Sequence, residues 1–207
     1  TQRINFGVLA EYTEITEGYY AAQEISEFIE INGSTSVNLK ANVSWSRSTL
    51  NRGIFADRGS SQSIAAEISM PGSDLQFYKF IYNGERYFPI TNSWTLRLRT
   101  ELGYGGGYGD TPGLPFYEHF YGGGFGSIRG FENSTLGPRS TPPLDADGNP
   151  VYFRDRNGDP FGGNLLVEAT AELIFPMPFV DDNRQFRPAL FVDAGNVFNT
   201  NCPTVSI

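Results

Sequence analysis

Residues 34–48, STSVNLKANVSWSRS, alternate apolar and polar side chains more clearly than any other part of the chain. Successive residues of a β-strand point to opposite faces, so this segment has one apolar and one polar face. The apolar face carries Val37, Leu39, Ala41, Val43 and Trp45. The polar face carries Asn38, Lys40, Asn42, Ser44 and Ser46. These two faces suit the wall of a transmembrane β-barrel, which has lipid outside and water inside.

Residues 93–108 alternate in the same way, and five further segments alternate less cleanly. The others are residues 3–12, 62–70, 75–88, 165–175 and 186–198. Several run past ten residues, the length that a tilted strand needs to cross a bilayer, whereas strands of soluble proteins average about five or six. The sequence therefore predicts an all-β, antiparallel transmembrane β-barrel fragment of about seven strands. Seven strands leave edges that lipid does not tolerate, so we expect further strands on both sides.

The two longest connections, after the first and fifth strands, fall on one side of the sheet, which is taken as the outside because bacterial barrels have their long loops there. The connection at 71–74, on the same side, is a tight turn. The connections after the second, fourth and sixth strands are of modest length and are assigned to the periplasmic side. The first outer connection contains apolar residues at helical spacing, Ala22, Ile25 and Ile29, before Asn32 and Gly33, which predicts a short surface helix within residues 17–31. The outer connection at residues 105–163 is far too long for an ordinary loop, and function is best sought there.

Composition excludes several classes of protein. The formal net charge is -8 and no cluster of Lys and Arg is visible, which argues against nucleic-acid binding. No segment approaches the roughly 18 apolar residues of a membrane-spanning helix. Residues 1–12 do not resemble a signal peptide, so a leader has been removed or the chain is internal. Cys202 is the single cysteine and has no partner within the chain for a disulfide.

The long connection contains the motif GGGFGSIRGF at residues 122–131. Its glycines, Gly122, Gly123, Gly124 and Gly126, permit a tight backbone path and positive φ angles. The tetrad that follows is Ile128, Arg129, Gly130 and Phe131. Taken alone, Arg129 reads as a solvated loop arginine.

The surrounding sequence changes that interpretation, because it resembles the BamA family of outer-membrane assembly factors. The shared features, in chain order, are RGIF at 52–55, DRGS at 57–60, ISMPGSD at 68–74, the IRGF tetrad, TLGP at 135–138, PMPF at 176–179 and FVDAGNV at 191–197. An RGF tripeptide is a weak signal, but this ordered series is specific and spans the whole chain. The resemblance implies a C-terminal-type barrel domain over residues 1–207, part of a barrel of 16 strands, with residues 105–163 as its sixth extracellular loop.

The resemblance also implies that this loop folds into the lumen, where Arg129 pairs with Glu172 and Asp193. Strand alternation supplies an independent check. In residues 165–175 the apolar face leaves Glu168, Thr170 and Glu172 pointing inward, and in the last strand Asp193 points inward as well. Periodicity and resemblance therefore agree on both acidic partners, although the two carboxylates alone could be ordinary wall polarity.

The implied function is to fold and insert β-barrel proteins into the bacterial outer membrane, without enzymatic activity, cofactor or metal. The implied partners are assembly-complex lipoproteins, client outer-membrane β-barrel proteins, periplasmic chaperones and the lipid bilayer. POTRA domains would precede the barrel, and clients would enter at a seam that this chain does not identify. Two alternatives remain: a related TamA or two-partner-secretion pore, and a passive porin with a constricting loop.

Other sequence features have ordinary explanations. The stretches at 145–149 and 155–159 are similar to calcium loops, but glycine comes too early and the twelfth-position glutamate is missing, so both are interpreted as turns. His119 has no catalytic or metal-binding partner at a telling spacing, which favours a structural role.

Overall fold

A computed structural model describes residues 2–145, 147–152, 158–177 and 187–201. Within them, seven strands form one antiparallel sheet whose spatial order is the chain order. The elements are β1 (Gln2–Glu14), α1 (Gln23–Asn32), β2 (Thr35–Ser48), β3 (Gly59–Ser69), β4 (Phe77–Pro89), β5 (Thr95–Gly107), the 3-10 turn η1 (Phe116–Glu118), β6 (Leu165–Ile174) and β7 (Ala189–Phe198). The fold class expected from the sequence, an antiparallel β-sheet of seven long strands, is confirmed.

The observed boundaries differ from the expected ones by a few residues. β5 continues to Gly107, because residues 105–107 still pair with β4, so the long loop occupies residues 108–164 instead of 105–163. β3 begins at Gly59, three residues earlier than expected. The last strand begins at Ala189, and its expected start at Phe186 lies outside the described residues, as do Cys202 and most of the turn-rich segment before β7.

The pattern of burial is inverted relative to a soluble protein, as a barrel wall requires. In β2, Val37 is 55% exposed, whereas Asn38 is fully buried and Lys40 is 3% exposed. The polar side chains face the concave side of the sheet, which the long loop covers, and the apolar side chains face outward. This arrangement confirms the face assignment read from residues 34–48, and it places an apolar surface where a bilayer would lie.

The core lies between the long loop and the concave face of the sheet. It consists of Leu75, Phe77, Leu114, Phe120, Leu166 and Val197. Phe120 of the loop lies against Gly103 of β5 so closely that a Cβ on Gly103 would come within 2.7 Å of the ring. Because both loop and wall contribute to one apolar cluster, burial of this surface favours the docked loop.

The expected surface helix is present as α1, which begins later than the segment proposed from sequence. It is joined to the long loop by Gln23, whose Nε2 donates to the Pro142 carbonyl at 2.8 Å, and by Glu24, which accepts from the Thr141 amide at 2.8 Å. Among the described residues, no helix is both long and apolar enough to cross a membrane.

Candidate functional site

Backbone hydrogen bonds within the long loop shape its path along the concave face of the sheet. The Phe120 amide donates to the Gly163 carbonyl at 2.8 Å, and the Leu136 amide donates to the Gly122 carbonyl at 3.0 Å. Between these two hydrogen bonds, Gly123 and Gly124 adopt φ angles of 102° and 100°, which residues other than glycine rarely adopt. The resulting turn directs the IRGF tetrad toward β6 and β7.

Arg129 is held by four hydrogen bonds to two carboxylates of the wall, and we call this group the Arg129 anchor. Its Nε and Nη2 donate to Oδ2 and Oδ1 of Asp193 at 2.8 and 2.7 Å, in a bidentate pair. Its backbone amide donates to Oδ2 of the same residue at 3.0 Å. Nη1 donates to Oε1 of Glu172 at 2.6 Å. The structure thus brings together the three residues that the sequence singled out.

The surroundings of the Arg129 anchor fix its geometry. The guanidinium lies 3.5 Å from the centre of the Phe191 ring, a cation–π contact. The second oxygen of Glu172 accepts from Nη1 of Arg97 at 2.7 Å, and Arg97 in turn donates to Glu85 at 2.6 Å. The hydrogen bonds to Asp193 raise the pKa of Arg129 above its ordinary value, so the cation is the form that docks.

The other residues of the motif have different environments. Ile128 is buried, Phe131 is about half exposed, and Gly130 has a φ of 93°. Gly122 permits close approach, since a Cβ there would lie 3.0 Å from a carboxylate oxygen of Glu168.

Gly126 does not fit the expected role of the motif glycines. It has no positive φ and has open space where a side chain would be. Its carbonyl accepts from Nη1 of Arg99 at 2.6 Å, a contact that any residue's backbone could make. Glycine is therefore required at Gly122, Gly123 and Gly124, but not at Gly126.

A second ionic contact, which the sequence analysis did not anticipate, holds the start of the loop. Glu118 of η1 accepts from Lys40 of β2 at 2.5 Å and from Lys79 of β4 at 2.9 Å. We call these three residues the Glu118 anchor. Lys40 also pairs with Glu11 at 2.7 Å and with Glu67 at 3.6 Å. Burial alone would raise the pKa of Glu118, but the hydrogen bonds from the two lysines lower it overall.

Some signal for this anchor was present in the sequence. Lys40 and Lys79 are the only lysines of the chain, and Lys40 stands on the polar face of the clearest strand. An unpaired buried ammonium is unfavourable, so an inward lysine requires a carboxylate partner. Several carboxylates were available, and spacing could not select Glu118, which is 78 residues away.

Two further polar residues complete the docked loop. Ser127 donates a short hydrogen bond to Glu168 of β6. His119 has Nδ1 3.0 Å from the Phe161 carbonyl and its ring lies edge-on to Phe161. Burial lowers the pKa of His119, which favours the neutral ring. These contacts agree with a structural role for His119.

Within the described ranges, no group of three or more His, Cys, Asp or Glu residues is arranged to hold a metal ion. At 145–149, Oδ1 of Asp145 accepts from the amides of Asp147 and Asn149 at 2.9 and 2.8 Å, which is a turn held by its own side chain. Residues 155–157 of the second such stretch lie outside the described residues.

Comparison with known proteins identifies the family to which this chain belongs. A family model described as the Omp85 superfamily domain matches residues 1–206. The chain belongs to the Omp85 superfamily. The resemblance read from the ordered motifs is confirmed by a curated relative, the outer membrane protein assembly factor BamA of Neisseria meningitidis serogroup B, which is 38% identical over 205 residues. That alignment covers 95% of this Omp85 chain and 24% of the relative.

Other Omp85-like matches extend the comparison. A SAM50-like protein of Schizosaccharomyces pombe is 24% identical over 198 residues, covering 93% of this chain and 37% of that protein. The crystal structure of BamA from Haemophilus ducreyi lacking POTRA domains 1–3 superposes with a TM-score of 0.79 and 26% identity, over 96% of this chain and 39% of that one. The chain therefore spans between about a quarter and two fifths of these relatives.

Proposed function

We propose that this chain forms wall strands and the lumen-folded loop of a barrel that folds and inserts β-barrel proteins into the bacterial outer membrane. The Arg129 anchor carries the proposal, because it joins the tetrad of the loop to β6 and β7 in a protein whose relative at 38% identity is named as an outer-membrane assembly factor. The role is one of templating and insertion and involves no covalent chemistry. The protein is not an enzyme on this proposal, and nucleic acid is not a partner.

The two anchors give the loop a mechanical role in that function. The Glu118 anchor contacts β2 and β4, and the Arg129 anchor contacts β6 and β7. The loop therefore bridges most of the sheet on its concave side and occupies space that an open channel would need. With the loop bound at both positions, this part of the barrel wall keeps its curvature while other strands of the barrel rearrange. The docked loop also prevents a large, steady pore.

The proposal extends to partners of the complete protein. Client outer-membrane β-barrel proteins and the lipid bilayer are the direct ones, since clients must pair with strand edges and enter lipid. Assembly-complex lipoproteins and periplasmic chaperones are the further partners, delivering or supporting clients from the periplasmic side. No cofactor is part of this function.

The test is a charge-reversal cycle in the full-length protein, read out as the cellular level of other outer-membrane β-barrel proteins. Arg129→Glu should lower that level sharply, and combining it with Asp193→Arg should restore part of it. Arg52→Glu is the matched control, since Arg52 is 64% exposed and lies 4.0 Å from its nearest carboxylate, so it should have no effect.

Three results would contradict the proposal. Additive effects of the two reversals would reject direct pairing of Arg129 and Asp193. A large, steady conductance of the purified protein would favour a TamA or two-partner-secretion pore. A change of permeability in Arg129→Ala, with normal levels of other outer-membrane proteins, would favour a passive porin.

A further inference from the structure

The outward face of the sheet carries cationic side chains at one rim. Strand pairing places Arg47 of β2 and Arg86 of β4 on the same face as Val37 and Phe80, which is the exposed apolar face. Across the seven strands as described, these are the cationic residues at outward positions. Both lie at the end of the sheet that holds the connection between β2 and β3, the rim assigned to the periplasmic side.

The two arginines flank β3 and face one another across it. Arg47 is paired with Gln62, and Arg86 is paired with Ser60, two positions away on the same face of β3. Arg58, just before β3, is 70% exposed at the same rim, and its Nε donates to Oδ1 of Asp57 at 3.3 Å. The three arginines line a cavity of about 470 Å³ that also includes Ser60 and Gln62.

The charges of Arg47 and Arg86 are not neutralised by the protein. Among the described residues neither forms an ion pair, and both are exposed. The Arg86 guanidinium lies 4.6 Å from the centre of the Phe88 ring, which orients it without satisfying its donors. Two unneutralised guanidinium groups on one small surface repel each other, and an anion between them would remove that repulsion.

The position of these three arginines, which we call the arginine patch, indicates which kind of anion it binds. One outward position further along β2 and β3 are Trp45 and Ile64, so on these two strands the patch lies where the apolar side chains end. At this depth an arginine can extend to the level of lipid phosphates while its stem stays in contact with acyl chains. At the same rim β5 and β6 present leucines, Leu96 and Leu173, so the charge is confined to β2, β3 and β4.

We propose that Arg47, Arg58 and Arg86 form a binding site for the phosphate of an anionic phospholipid headgroup. The fork of a guanidinium matches phosphate oxygens in a bidentate way, and Ser60 and Gln62 supply neutral donors between the arginines. The inference rests on the proposed function only in taking the outward face to lie in a bilayer. Its occupant is a lipid of the periplasmic leaflet, held against β3.

The two tryptophans of the chain provide a local test of this site. Trp45 stands one outward position from Arg47, whereas Trp94 lies at the same rim beside β5, stacked on Phe175 at 5.4 Å. The full-length protein is reconstituted in phosphatidylcholine containing either brominated phosphatidylglycerol or brominated phosphatidylcholine. The contribution of each tryptophan is the difference in quenching between the protein and its Trp45→Phe or Trp94→Phe variant.

From the quenching of Trp45, we expect brominated phosphatidylglycerol to bind next to this residue at least about fivefold more strongly than brominated phosphatidylcholine. This is the factor expected for one arginine beside an anionic surface. Arg47→Gln with Arg86→Gln should abolish this preference, and Trp94 should show none in either protein. Inorganic phosphate should not reduce the preference beyond sodium chloride of equal ionic strength.

The outcomes separate this site from the proposed function. A Trp45 without lipid preference, or with a preference that survives the double variant, would overturn the site while leaving the assembly role intact. Competition by inorganic phosphate beyond the salt control would assign the patch to a soluble anion and overturn the lipid assignment. If neither tryptophan is quenched by any brominated lipid, the outward face is not in a bilayer, and the membrane function fails together with the site.

Discussion

Replacing Glu118 with glutamine measures how much the second anchor contributes to docking of the loop. Glutamine keeps the shape of the side chain but offers one acceptor oxygen, so one of the two bonds from Lys40 and Lys79 is lost. A charge-assisted bond contributes about 1.5 to 3 kcal/mol. Lys40 retains Glu11 at 2.7 Å, which limits the cost of its burial, whereas Lys79 loses its carboxylate among the described residues. We expect the docked loop to be destabilised by about 2 to 3 kcal/mol.

Hydrogen exchange of loop amides in the full-length protein is the suitable assay. The Phe120 amide donates to the carbonyl of Gly163, two residues before β6, so we expect its exchange to report docking of the loop on the sheet. A loss of about 2 kcal/mol should raise its exchange rate roughly 30-fold if exchange follows local opening. The Glu101→Gln variant is the control. Glu101 pairs with Arg99 at 2.9 Å, and the two side chains are 27% and 33% exposed, so loss of this pair should change the exchange rate much less. A change below about threefold in Glu118→Gln, or equal changes in both variants, would refute the reasoning.

Three further predictions concern the same loop. Arg129→Lys keeps the charge but cannot form the bidentate pair, so tetrad amides should exchange at least about tenfold faster, and unchanged exchange would count against the anchor. Gly103→Val should displace the Phe120 ring and cost about 1 to 3 kcal/mol of unfolding free energy, whereas Gly126→Ala should be neutral within about 0.5 kcal/mol; equal effects in a denaturant titration would contradict the packing. The pKa of Glu118 is lowered in the docked state, so its contribution is present above the ordinary value of about 4.3 and is lost as pH falls through the lowered value. Protease protection of the loop should therefore decline with acid more steeply in the protein than in Glu118→Gln, and parallel pH curves would contradict this.

The sequence alone was sufficient for the wall of this molecule. A strand has a side-chain period of two, and the alternation in residues 34–48 therefore specified which side of β2 faces outward. The same period placed Glu172 and Asp193 on the inward side. It could not place strand ends to the residue, as at Gly107, because pairing with the neighbouring strand decides where a strand stops.

The tertiary structure alone decided how the loop meets that wall. Arg129 was singled out by its motif, but its bidentate geometry on Asp193, its contact with Phe191 and the role of Arg97 behind Glu172 depend on the path of the chain through the lumen. Glu118 illustrates the limit most clearly. Local periodicity determines the face on which a charge lies, but the partner that neutralises it is chosen by long-range packing, and no spacing rule relates Lys40 to a carboxylate 78 residues further along the chain.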